Sequence, residues 1–158
     1  MQALLGQLLI GLINGSFYAL LSLGLAVIFG MLNIINFAHG ALYMMGAFCA
    51  YFLLNLTGIG YWPALIIAPI VIGIFGMILE RTMLKWLTGL DHLYGLLLTF
   101  GLALIIQGLF QNYFGSSGLP YNIPDELEGA VNVGFMYLAI YHAWVIAFSL
   151  VVCLSTWF

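Results

Sequence analysis

A bilayer hydrocarbon core about 30 Å thick asks for about 20 apolar residues per spanning helix. With that length as a ruler, five apolar segments stand out: Leu4 to Met31, Ile34 to Leu56, Trp62 to Met83, Leu93 to Phe114 and Phe135 to Phe158. Each is a continuous run, without the segments of about ten alternating residues that mark a membrane barrel, so all five are expected to be helices. Polar positions punctuate them. Asn14-Gly15-Ser16 interrupts the first segment, Asn36-Phe37-Ala38-His39-Gly40 opens the second, and almost no linker lies between the two. Pro63 suits the first turn of the third helix, and a polar stretch from Gly115 to Gly134 separates the fourth segment from the fifth. The pattern predicts an all-α, polytopic integral membrane helical bundle of about five transmembrane segments, with broken or re-entrant stretches near residues 14–16 and 33–40. Residues 1–158 are expected to form one transmembrane domain. Because Phe158 ends an apolar run with no polar tail behind it, the chain reads as the first part of a longer one.

Composition agrees with lipid as the main solvent. The sequence is 65% hydrophobic and 4% charged, with a mean hydropathy of +1.20, whereas a soluble domain carries about 25% charged residues. Two basic and five acidic side chains cannot wet the surface of a soluble fold. The formal charge of -3 and the lack of any basic patch exclude nucleic acid as a partner. Cys49 and Cys153 lie inside apolar stretches and are expected to pack as small hydrophobes rather than pair. Residues Met1 to Gly6 carry no basic region of the kind that opens a removable signal peptide. Arg81 and Lys85, the only basic residues, place the loop from Thr82 to His92 in the cytoplasm by the positive-inside rule. Counting spans from there puts the N-terminus and the 115–134 loop outside.

Candidate chemistry concentrates early in the chain. Asn33, Asn36 and His39 are spaced three apart and would share one face of a helix. An unpaired amide or imidazole is costly in lipid, so that face must turn to protein or to a water-filled path. Asn and Gly40 disfavour a helix interior, which points to a discontinuous helix whose backbone lines a cavity. A helix starting near Asn36 would aim its amides at that cavity and suit a solute bearing a carboxylate. The alternative is interhelical hydrogen bonding alone. Asn14 and Ser16 form a second polar break beside Gly11 and Gly15, whose spacing suits close helix approach. Thr99 and Gln107, eight residues apart, could line a path or bond between helices. Glu80, Arg81 and Lys85 read as a cytoplasmic interfacial anchor. No phosphate-binding loop, metal pattern, nucleophile elbow or intramembrane acid pair occurs in the sequence, so catalytic residues, metal and cofactor are expected to be none.

The residues Gly15-Ser16-Phe17-Tyr18-Ala19-Leu20, Leu23-Gly24-Leu25, Gly30, Ile34-Ile35-Asn36-Phe37-Ala38-His39-Gly40 and Met45-Gly46-Ala47 resemble the start of a branched-chain amino acid ABC importer permease. Glu80-Arg81, Leu98-Thr99-Phe100-Gly101-Leu102 and Gln107 extend the resemblance along the chain. Two departures stand out: Ala41 where members often carry an acid, and Trp86-Leu87 where they carry more basic residues. The resemblance implies a multi-pass subunit of the bacterial inner membrane. Its implied partners are a second related permease, two cytoplasmic ATP-binding subunits that hydrolyse ATP, and a periplasmic amino-acid-binding protein. The same architecture serves urea and related amides, and a passive small-solute channel is the rival from another class.

Overall fold

The computed structural model describes residues 2–32, 36–87, 89–121, 124–132 and 137–157. Five helices carry most of these: α1 (Gln2–Leu32), α2 (His39–Thr57), α3 (Tyr61–Thr82), α4 (His92–Phe114) and α5 (Ile140–Trp157). Among the described residues, the first four are long and apolar enough to cross a membrane, and α5 is a shorter apolar helix. The architecture is that of an all-α polytopic membrane bundle. Two compact units divide it, Val27–Tyr121 on one hand and Met1–Ala26 with Asn122–Phe158 on the other.

In the first of these units α2, α3 and α4 pack through small residues. Ala41 is fully buried, Ala64, Ala68 and Ala103 are buried too, and large side chains such as Ile66, Ile70, Leu97 and Ile105 stand exposed. That inverts a soluble fold. In lipid, burying a large apolar side chain gains little, so close backbone approach and good packing decide which face turns inward. Ala41 of α2 meets Ala103 and Ile106 of α4, bordered by Met44, Met45, Leu102 and Phe110. Farther along the same helices, Phe48 stacks on Phe110 and Phe114 with ring centroids 4.6 and 5.1 Å apart. Pro69 lies inside α3, which continues through it; membrane helices tolerate such a residue when neighbouring groups satisfy the freed carbonyl.

Local signals account for the helix ends. Gly58 takes the left-handed conformation at φ 67° and donates its N–H to the Leu54 carbonyl at 3.0 Å, which stops α2. Asp91 caps α4 by accepting the Leu93 N–H at 3.2 Å. The segment between α3 and α4 holds one 3₁₀ turn, Leu84–Leu87.

The other unit contains the start of α1, a 3₁₀ turn at Asp125–Leu127, a two-stranded hairpin and α5. Strand β1 (Ala130–Asn132) pairs antiparallel with β2 (Tyr137–Ala139), Val131 facing Leu138. The fifth apolar segment thus contains strand β2 and becomes helical only at Ile140. Gly129, at φ 125°, holds a backbone conformation that side-chain-bearing residues rarely adopt, so the backbone favours glycine there.

One expectation is corrected. The break near residues 14–16 does not exist: α1 is continuous from Gln2 to Leu32. The Ser16 hydroxyl donates to the Ile13 carbonyl at 2.7 Å, satisfying itself within its own turn without displacing the backbone. At about 1.5 Å per residue α1 is roughly 46 Å long, well over the hydrocarbon thickness. Near 33–40 the interruption is present, since α1 ends at Leu32 and α2 starts at His39, with Asn36 to Ala38 in non-helical turn conformation. Residues 33–35 lie outside the described ones.

Candidate functional site

The turn before α2 is built by its own side chains and by α4. Asn36 Oδ1 accepts the Ala38 N–H at 2.9 Å, and the Asn36 carbonyl accepts the His39 N–H at 3.3 Å. This is an Asx turn, in which a short amide side chain substitutes for a backbone acceptor and starts a new helix. The next amide is held from 62 positions away: Phe37 N–H donates to Thr99 Oγ1 at 3.2 Å. Thr99, only 1% exposed, donates its own proton to the Leu96 carbonyl at 3.1 Å. Its hydroxyl is thus committed both ways, and Phe37 packs edge-on against Phe100 with ring centroids 6.2 Å apart.

Beside this junction lies a cavity of about 150 Å³. Asn36, Ala38 and Leu42 border it from the turn and α2, Gly76, Leu79 and Glu80 from α3. Leu98, Thr99 and Leu102 of α4 close it, with Ile28, Met83 and Leu84 completing the wall. Its lining is aliphatic apart from Asn36, Glu80 and Thr99. Asn36 precedes α2 and Glu80 lies in the last turn of α3, both at helix ends. Thr99 and Leu102 lie roughly two and three turns inside α4, which carries the cavity roughly 10–15 Å from that end.

The structure brings together Asn36, Thr99 and Glu80, the last expected only as an anchor. His39 begins α2 half-exposed and Gly40 follows it exposed. Neither lines the cavity. Gln107 is exposed on α4 while Thr99 is buried, because eight residues at about 100° each leave the two some 80° apart. Asn14 is exposed and Ser16 buried on α1, in the other unit. Arg81 closes the last turn of α3 and Lys85 sits in the 3₁₀ turn, both exposed. Asn33 lies outside the described residues. Gly76 and Ala38 carried no chemical signal of their own in the sequence; only the register of three helices shows that they border one space. Cys49 and Cys153 are free and half-buried, and among the described residues no cluster of His, Cys, Asp or Glu could hold a metal ion.

Comparison with known proteins now adds a decisive observation: the family described as "Branched-chain amino acid transport system / permease component" matches residues 7–158. The chain belongs to this family. It is 35% identical to the high-affinity branched-chain amino acid transport system permease protein BraD of Pseudomonas aeruginosa, over 65% of this chain and 36% of that protein. It is 30% identical to LivH of Escherichia coli K12 and 28% identical to LivH of Salmonella typhimurium, each over 82% of this chain and 44% of the relative. This permease chain therefore spans less than half the length of these curated relatives. No solved structure matches it significantly. Family and helices together make it a multi-pass membrane protein of the transport-permease class.

Proposed function

We propose that the chain forms part of the transmembrane path of an ATP-driven importer for branched-chain amino acids. The observation that carries this reading is the permease family's match to residues 7–158, and the aliphatic cavity beside a broken helix is its structural counterpart. Discontinuous helices with polar groups beside a cavity are how membrane transporters build solute sites.

In this reading Arg81 and Lys85 mark the cytoplasmic end of α3. The Asn36 turn borders the same cavity as Glu80, so it lies toward that side as well, in the bacterial inner membrane. A periplasmic binding protein delivers the amino acid to the opposite face. A second related permease completes the path, and two cytoplasmic ATP-binding subunits supply the energy. Asn33, Asn36, His39 and Thr99 act as path or gate residues, with Gly40, Asn14 and Gln107 in lesser roles, while the Ser16 hydroxyl, satisfied within its own helix turn, takes no part.

The test is uptake of labelled leucine, isoleucine and valine by vesicles carrying the full-length permease and these partners. Uptake should require ATP and be competed by the other branched-chain amino acids but not by urea. Uptake that persists when the phosphate-loop lysine of the ATP-binding subunits is mutated would instead indicate a passive channel, and competition by urea would reassign the substrate.

A further inference from the structure

We infer that the cavity beside Asn36 and Thr99 is a station for the branched aliphatic side chain of the amino acid in transit, and that Gly76 sets how long a side chain it accepts. This rests on the permease reading and adds to it a location and a size rule.

Volume and lining both point to such an occupant. A dry cavity of about 150 Å³ lined by aliphatic residues admits a hydrocarbon of about six carbons, the size of benzene. The cavity here has that volume, enough for the four side-chain carbons of leucine or isoleucine. Leu42, Leu79, Leu98 and Leu102 offer it aliphatic walls, while Glu80 and Asn36 stand at the helix ends bordering it. A ligand fitting both features has a compact apolar group on a charged head. The Glu80 carboxylate complements an α-ammonium group. The Asx turn uses only the oxygen of the Asn36 carboxamide, so its NH₂ is oriented by the turn and suits an α-carboxylate. Urea, with no apolar part, would leave the aliphatic wall unmatched.

Gly76 provides the size rule. It borders the cavity, and a Cβ built there meets no described atom within 4 Å. A side chain at this position would therefore grow into open space rather than into a neighbouring helix. Alanine is also a better helix former than glycine, so a small residue here costs the helix nothing while adding a methyl beside the cavity that Gly76 borders.

The experiment measures apparent KM for leucine, isoleucine, valine and alanine in vesicles holding the full-length permease and its partners, for wild type, Gly76→Ala and Gly76→Val. Lost room for one or two carbons in an apolar site is worth about tenfold or more. Gly76→Val should raise the KM of leucine and isoleucine about tenfold relative to alanine, and Gly76→Ala should give a smaller shift in the same direction. Should the valine variant fail to assemble, the alanine variant carries the test alone. Leucine and alanine affected by the same factor, the result expected if a partner helix or a lipid filled the space, would overturn the proposal. Wild-type vesicles that take up none of the four would remove the permease reading itself, an outcome distinct from both.

Discussion

Two polar interruptions of similar composition meet different fates in this chain. Asn14-Gly15-Ser16 is absorbed into a helix that runs unbroken from Gln2 to Leu32, whereas the stretch around Asn36 separates α1 from α2. Both place an asparagine, a glycine and another polar residue in apolar surroundings, and helix propensity treats them alike. The difference lies in where the polar groups find partners. Ser16 bonds the carbonyl three residues back, a closure any helix can supply. At Asn36 the side chain replaces a backbone acceptor, and the freed Phe37 N–H is taken by Thr99 on another helix. A break in lipid persists only when every backbone group it exposes is satisfied elsewhere. Thr99 makes the second interruption possible.

The largest expected effect comes from removing that distant acceptor. Thr99→Val keeps the shape but strands the Phe37 N–H and should destabilise the folded permease by about 1–3 kcal/mol. Thr99→Ser should retain most of the stability, and thermal melting of the solubilised complex checks both. Equal melting of the valine and wild-type proteins would mean the turn stands without α4. Asn36→Ala comes next: it deletes the Asx turn and should cost about 0.5–2 kcal/mol, as loss of a helix-starting side-chain acceptor does. The same melt reads it, and Asn36→Asp should recover part of the loss.

How much of this was legible beforehand follows the range of the interactions. Helices α3 and α4 begin and end within one residue of the apolar runs, because run length, Pro63 and the adjoining loop residues are local signals. The interruption at Asn36 was also legible, since its polar spacing is local. Its anchor was not: Thr99 read as bonding between helices or lining a path, and nothing local named Phe37, 62 positions away, as its partner. The cavity was legible only in part, for Gly76 and Glu80 join Asn36 there through the register of α2, α3 and α4. The strands Ala130–Asn132, in the polar stretch, and Tyr137–Ala139, in the apolar run after it, went unread because three residues leave no periodic trace.

Smaller effects sharpen the contrast. Ser16→Ala removes a hydrogen bond that a helix does not need and introduces a better helix former, so stability should change by no more than about 0.5 kcal/mol in the same melting assay. A loss as large as that of Thr99→Val would erase the distinction between the two interruptions. Smallest of all is Tyr121→Phe in the 115–134 loop. The Tyr121 hydroxyl is buried without a hydrogen-bond partner among the described residues, so its removal should be neutral or slightly stabilising. Burial, and secondarily Tyr61 beside it, raises this phenol above its ordinary pKa of 10.0. The folded chain thus favours the protonated form, a contribution fully present below pH 10.0 and lost as pH climbs through the raised folded value. The phenylalanine variant should melt with less alkaline loss than wild type.

The most direct test of the account compares the two interruptions in transport. Vesicles holding the full-length permease with its partners, at matched amounts of assembled complex, would be assayed for ATP-dependent leucine uptake with Thr99→Val and with Ser16→Ala. The account predicts a loss of about tenfold or more for Thr99→Val, the equivalent of about 1.4 kcal/mol, and wild-type uptake for Ser16→Ala. Full uptake by an assembled Thr99→Val complex, or an equal loss in both variants, would contradict it.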